Sequence, residues 1–353
     1  MIYLIDLEYV ETRYTAQWKT EFPQAIADKT DQAVTVIEGP PDVAGGTTPG
    51  AFLDFAGTNI YKSAQIAQLS LFFKEGKIEN GDHFIFADAW HPGILQLKYM
   101  LSLLQLDCTI HALWHAGSYD KHDFLGRLIG DQAWVRHTER ALFHSIDKNY
   151  FASNFHIDMF VNTFGEEVAI QHKIVRTGWP MEYLTPVLDY EANWAEEKED
   201  IILFPHRIAP EKQVDIFKDL EKELPQYKFI VCQEQDLKKP EYHELLGKAK
   251  MVFSGNLQET LGISCYEILR AGGMPLVPNR LSYTEMYQSE FVYPSEWTED
   301  WSKYQENKEL LKQRIIDLME GFNGNQIKDA IIENRDMLEK QYFSATNLYK
   351  ELI

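Results

Sequence analysis

At 353 residues, 45% hydrophobic and 13% aromatic, the chain has enough length and apolar content for two domains with separate cores, and its composition excludes disorder over most of its length. A formal charge of −20 argues against a protein that coats nucleic acid or an anionic membrane through a general positive field. Cys108, Cys232 and Cys265 are scattered with no C-x-x-C spacing, so neither a disulfide framework nor a zinc site is expected, and a reducing cytoplasm fits.

The opening Met1-Ile2-Tyr3-Leu4-Ile5-Asp6-Leu7-Glu8 lacks a basic leader and becomes charged too early for a signal peptide. No apolar run approaches the ~18 residues of a membrane span, so no membrane partner is expected. Ile2 to Leu7 instead reads as a buried strand. Arg13 to Lys29 carries Tyr14, Trp18, Phe22 and Ile26 at helical spacing, interrupted by Pro23, and Val34 to Ile37 reads as a second strand. The run 39–50, rich in Gly, Pro and Thr, reads as a surface loop or a mobile loop beside a ligand cleft.

Ala56 to Phe73 is expected to be helical, His83 to Ala87 a strand, Ile94 to Leu106 a helix and Thr109 to Trp114 a strand. Such alternation marks a parallel α/β sheet, in which ligands sit at the carboxyl ends of strands. Asp88, Trp90, His91, His115 and Gly117 fall at such ends. Beyond them, Ala141 to Ile146 and Tyr150 to Ser153 read as strand material around a helix that carries Arg127, Trp134, Arg136, His137 and Arg140. That patch suits either an anionic acceptor or an ordinary solvated helix face. No H-E-x-x-H motif supports a metal site.

Ile174 to Pro180 reads as a strand leaving the first domain. The acidic stretch Asp189 to Asp200 marks the boundary, which we place between residues 185 and 186. The same grammar then restarts: strands at Ile201 to Phe204, Lys228 to Cys232, Met251 to Phe253 and Met274 to Val277, with helices at Glu211 to Leu224, Tyr242 to Ala249 and Leu261 to Ala271. Arg207 and Lys212 follow the first of these strands, where cations and helix N–H groups suit a diphosphate. Two carboxylates, Glu259 and Glu267, flank the last helix start, and Gly262 leaves room for close approach to the backbone. They are either helix-terminal acids facing water or two groups addressing one ligand.

Glu259, seven intervening residues and Glu267, followed by Ala271-Gly272-Gly273-Met274-Pro275 and preceded by Arg207 and Lys212, resemble the E-x7-E pattern of the retaining GT4-type GT-B glycosyltransferases. Pro205-His206-Arg207 and Pro275-Leu276-Val277-Pro278, with Tyr283 and Glu285, are similar to the queuosine-tRNA mannosyltransferase branch. The match covers most of residues 174 to 290.

The resemblance implies two Rossmann-like, doubly wound domains facing a central cleft: 1–185 for the acceptor and 186–330 for the nucleotide sugar. Residues 331–353 would form a C-terminal helix returning to the first domain. It also implies metal- and cofactor-free transfer of a sugar from a nucleotide diphosphate sugar to a hydroxyl. Arg207 and Lys212 would then hold the diphosphate, assisted by backbone N–H groups at Leu261 and Gly262. Glu267 would hold the ribose, Glu259 would lie near the sugar, His115 near the departing bond, and Ser153 at a later strand end.

The opening Glu8 to Tyr14 is similar to that of bacteriophage enzymes. This puts a 5-hydroxymethylpyrimidine in DNA, above all hydroxymethylcytosine, first among acceptors, with Asp88, Trp90, His91, Arg136 and Arg140 as acceptor contacts. A modified tRNA nucleoside, a polysaccharide or a small molecule stay open as acceptors. So do a non-catalytic nucleotide-sugar-binding protein and a UDP-sugar epimerase. The sequence does not set the oligomeric state.

Overall fold

The structure, a computed structural model, describes residues 1–11, 13–43, 54–170, 172–192 and 197–353. Most of the Gly/Pro/Thr-rich run 39–50, and residues 193–196 of the acidic stretch, lie outside the described residues. The chain divides into two compact units, Met1–Met181 with Ser344–Ile353, and Glu182–Phe343.

In the first unit, β1 (Ile2–Ile5), β2 (Val34–Ile37), β3 (His83–Phe86), β4 (Thr109–Trp114), β5 (Lys148–Phe151) and β6 (Ile174–Arg176) form a parallel sheet of order β2-β1-β3-β4-β5-β6. Between them run α1 (Tyr14–Thr30), α2 (Phe55–Lys74), α3 (Gly93–Leu104), α4 (Phe124–Leu128), α5 (Ala133–Ser145) and α6 (Asn154–Phe164). The central strands are short and mostly apolar because helices cover a parallel sheet on both faces; Phe84, Ile85, Phe86, Ala112, Leu113 and Trp114 are all fully buried.

Two expectations change here. Pro23 does not interrupt α1: the buried stripe Thr15, Trp18, Phe22, Ile26 and Thr30 outweighs one lost helical hydrogen bond. Ala141 to Ser145 is the end of α5, not strand, because Val135, Glu139 and Leu142 bury one helical face.

The second unit contains α7 (Leu184–Glu191), β7 (Glu199–Phe204), α8 (Val214–Glu223), β8 (Lys228–Val231), α9 (Lys239–Lys248), β9 (Ala249–Phe253), α10 (Ile263–Arg270), β10 (Met274–Pro278), α11 (Tyr283–Met286), β11 (Val292–Tyr293), α12 (Trp301–Gly321) and α13 (Asn325–Gln341). Its parallel sheet has the order β11-β10-β9-β7-β8. The helix expected from Glu211 begins later: Pro210–Lys212 is a single 3₁₀ turn, and Gln213, at φ 55° and ψ 46°, separates it from α8.

The C-terminal region is three helices, not one. α13 packs on α10 within the second unit, and α14 (Thr346–Lys350) belongs to the first, where Lys148 pairs with Glu351 at 2.7 Å. The segment that joins the first unit is therefore Ser344–Ile353, shorter than 331–353. Among the described residues no helix is long and apolar enough to cross a membrane.

Each sheet reverses its order once at an inner strand pair, between β1 and β3 in the first unit and between β7 and β9 in the second. At such a switch the connections leave in opposite directions and open a crevice beyond the carboxyl ends of the strands. The segments that follow these strands are therefore the ones to inspect.

Candidate functional site

In the second unit the two sequence motifs meet at the switch. After β7 come His206 and Arg207, then the 3₁₀ turn with Lys212; after β9 comes the loop from Ser254 to Gly262. Backbone and side chains tie the two together. Leu257 N–H donates to Glu211 O at 2.8 Å, Gln213 Nε2 donates to the Gly255 and Thr298 carbonyls, and Lys212 Nζ donates to Gln258 O at 2.6 Å and to Glu259 Oε2 at 3.3 Å.

Arg280 fastens the loop from behind, donating to the carbonyls of Asn256 and Gly255, both at 2.7 Å, and to Ser295 and Thr298. Sequence reasoning passed over Arg280 and Gln213. The only signal for Arg280 was a cation in a turn after a strand, which resembles any surface residue.

Glu259 accepts from Lys212, from Thr260 N–H at 3.2 Å and from Gly262 N–H. Burial by itself would raise its carboxyl, but the Lys212 ammonium above all, with the Gly262 N–H, overcomes it and holds the group below the ordinary range. It is therefore a carboxylate at neutral pH. The Gly262 N–H, assigned by resemblance to a diphosphate, donates to Glu259. Gly262 itself sits at φ 74° and ψ 56° directly before α10, a left-handed conformation that favours glycine.

Arg207 pairs with the buried Glu211. His206, pushed down to about 3 by burial and by Lys212, is neutral and adds no charge. Glu267 lies inside α10, is 4% exposed, and accepts from the Tyr242 hydroxyl at 2.9 Å.

The first unit holds a cavity of about 460 Å³ at its own switch, lined by Leu7 and Glu8 after β1, Asp88 and Trp90 after β3, His115 after β4, and apolar side chains of α2 and α4. Lys62 Nζ donates to Asp88 Oδ2 at 3.1 Å and to Trp90 O at 2.6 Å, and Trp90 N–H donates to Asp88 Oδ1 at 3.0 Å. Burial would raise Asp88, yet the Lys62 ammonium, with the Trp90 N–H, holds it below the ordinary carboxylate range.

The Trp90 indole donates to Glu139 at 2.9 Å, which fixes the ring. His115 Nε2–H donates to Ala87 O at 2.6 Å, so Nδ1 accepts from the Tyr14 hydroxyl at 2.9 Å. Burial lowers this ring, which packs beside Trp179 at 4.2 Å between centroids. It is thus a neutral, oriented imidazole with both nitrogens engaged.

Three candidates for acceptor contact lie elsewhere. His91 is 3% exposed, bonds Gln65 at 3.1 Å and accepts from Gly93 N–H at 3.0 Å; it holds the start of α3. Arg136 bonds Ser118 and pairs with Asp131 and Glu139, and Arg140 pairs with Glu167 at 2.7 Å. Neither arginine lines the cavity, and their carboxylate partners offset the charge that a DNA footprint needs. Ser153 is the N-cap of α6, accepting from His156 N–H. Conversely Lys62, Tyr14, Phe55, Phe124 and Leu128 line the cavity without having been singled out, since each looks like one more residue of an amphipathic helix.

Two parallel α/β units, each with a polar site at its switch, define the GT-B fold class. No family model matches the chain and no curated protein matches its sequence. Solved structures do match. The Anabaena protein HepE in complex with UDP is similar with a TM-score of 0.58 at 12% identity, over 99% of this chain and 98% of that one. WaaG, a glycosyltransferase involved in lipopolysaccharide biosynthesis, is similar with a TM-score of 0.56 at 13% identity, over 99% of both chains. The pneumococcal O-GlcNAc transferase GtfA, in complex with UDP and GlcNAc, is similar with a TM-score of 0.53 at 12% identity, over 81% of this chain and 58% of that one.

Proposed function

We propose that the chain is a retaining, metal-independent glycosyltransferase that moves a sugar from a nucleotide diphosphate sugar, with UDP as the nucleotide, to an acceptor hydroxyl. The observation that carries this reading is the bonded cluster at the β7/β9 switch, where Lys212 bridges Gln258 O and Glu259 beside Arg207. UDP in the HepE and GtfA structures, which share the fold, supports the choice of nucleotide.

The guanidinium of Arg207 and the ammonium of Lys212 offset the charge that builds on the departing diphosphate, which is the electrostatic work a divalent ion does in other sites. Glu259, held ionised, accepts from hydroxyls of the donor sugar. Glu267 takes the ribose, with Tyr242 orienting its carboxylate. In the transfer step the bond from the anomeric carbon to the diphosphate oxygen breaks while the bond to the acceptor oxygen forms on the same face. The acceptor proton passes to the leaving diphosphate. His115, neutral, contributes orientation and not charge.

A hydroxymethylated base in DNA is not favoured as acceptor, because neither Arg136 nor Arg140 lines the cavity that holds Asp88 and Trp90. The test is product analysis by mass spectrometry with a panel of nucleotide sugars, for the native chain, Arg207→Ala and Glu267→Ala. Transfer or slow donor hydrolysis by the native chain, lost in both variants while each still unfolds cooperatively, supports the reading. Full activity in both variants overturns the assignment of the donor site.

A further inference from the structure

We infer that the cavity of the first unit takes an alcohol with an apolar aryl or alkyl body, the hydroxyl donating to Asp88 and the body lying among Leu7, Val10, Phe55, Phe124 and Leu128. Calling that alcohol the acceptor rests on the function proposed above; the binding itself does not.

Four observations carry it. The cavity, about 460 Å³, falls in the range of small-molecule sites, about 300–1,000 Å³, and is far too small for a folded polymer. Its walls are largely apolar, and Phe55 stacks on Phe124 at 5.6 Å and 18° at one side. Its charged lining residues are Glu8, Asp88 and Asp123 against Arg13 and Lys62. A lining with more carboxylates than cations does not attract a polyanion. Finally, the Asp88 side chain is 21% exposed and each of its oxygens already accepts one hydrogen bond, so a carboxylate with room for about four bonds keeps capacity for a ligand donor.

Asp88 anchors the hydroxyl and does not remove its proton, since the Lys62 ammonium keeps it a weak base. In transfer the oxygen held there bonds the anomeric carbon, the carbon–diphosphate bond breaks, and the proton leaves with the diphosphate.

The probes are 2-naphthol and naphthalene, titrated into the full chain and followed by calorimetry and tryptophan fluorescence. Saturable one-to-one binding of 2-naphthol is expected. Leu128→Asp, at a rim position 63% exposed and so compatible with folding, should weaken it at least tenfold without lowering the melting temperature. Asp88→Asn should weaken 2-naphthol severalfold and leave naphthalene unchanged.

Absence of saturable binding, or equal binding by Leu128→Asp, overturns the inference. So does displacement of 2-naphthol by a duplex carrying 5-hydroxymethylcytosine that itself binds Leu128→Asp more weakly than the native chain, because the cavity would then receive a base. Binding of 2-naphthol with no naphthyl glycoside formed from any nucleotide sugar leaves the cavity assignment standing and counts against the proposed transferase.

Discussion

Lys212→Met separates a working ion pair from a decorative one. Lys212 has 7% side-chain exposure and Glu259 has 20%, so the variant strands a mostly buried carboxylate. Breaking a buried pair by removing one partner costs about 3–5 kcal/mol; with a fifth of Glu259 in solvent the lower end applies, about 3 kcal/mol. For a unit of this size that corresponds to a fall in melting temperature of about 6–12 °C.

The pH dependence gives the sharper test. In the native chain Glu259 is held below its ordinary value, so its contribution is present above the unfolded carboxyl pKa and is lost as pH falls through the folded one. Without Lys212, burial acts with little opposition and the carboxyl moves up, so the native state favours the protonated form and loses stability as pH rises through the new value. The deficit of Lys212→Met against the native chain must therefore be smallest at pH below the depressed native carboxyl value and grow toward pH 7. Adding Glu259→Gln to it should recover most of the loss at pH 7. Thermal melts of the native chain, both single variants and the double variant across that range close the cycle. A deficit independent of pH, or no recovery in the double variant, would refute the argument that Lys212 is what keeps Glu259 ionised.

Gly262→Ala should cost about 1–2 kcal/mol from the left-handed backbone alone, and its new methyl would stand 3.0 Å from a Tyr283 ring carbon and 3.5 Å from Glu259 Cγ; an unchanged melting temperature would contradict the strain assigned to that position. Asp6→Ala removes the acceptor shared by Tyr61 at 2.6 Å, Gln65 at 3.0 Å and Lys19, and should lose about 3–5 kcal/mol in urea unfolding, with Asp6→Asn losing less. Lys198 donates to the carbonyls of Leu246, Gly247 and Ala271, and burial pushes it down to about 7. The unfolded chain then binds that proton more tightly between about pH 7 and 10, so stability should rise with pH across this window; Lys198→Met should flatten that limb, and a parallel profile would count against it.

The alternation of buried strands with amphipathic helices was legible because a parallel sheet covered on both faces demands unbroken apolar runs, as at Phe84 to Phe86 and Ile201 to Phe204. Where the reading failed, tertiary packing overrode a local signal. Pro23 speaks against a helix, but Trp18, Phe22 and Ile26 bury one face through it. Gln213 carries no turn signature, yet its left-handed backbone and its bonds to Gly255 and Thr298 split a helix that periodicity draws as continuous. The C-terminal segment reads as one amphipathic run, and only three-dimensional packing shows α13 held on α10 while α14 joins the other unit.

The two sites differed in legibility for a chemical reason. The proposed diphosphate site needs few groups at fixed spacing, cations after one strand and carboxylates around one helix start, so Arg207, Lys212, Glu259 and Glu267 stand out along the chain. An apolar cavity is made of residues that also make cores. Phe55 and Phe124 lie on helices far apart in sequence and stack only once α2 and α4 come together, and Lys62 gains meaning only when Asp88 is seen to accept from it. Strand-end position was enough to bring out Asp88, Trp90 and His115, because the switch of the sheet is encoded in strand order. The walls that give the cavity its apolar character are encoded in no motif, which is why the ligand class proposed for it rests on the folded chain.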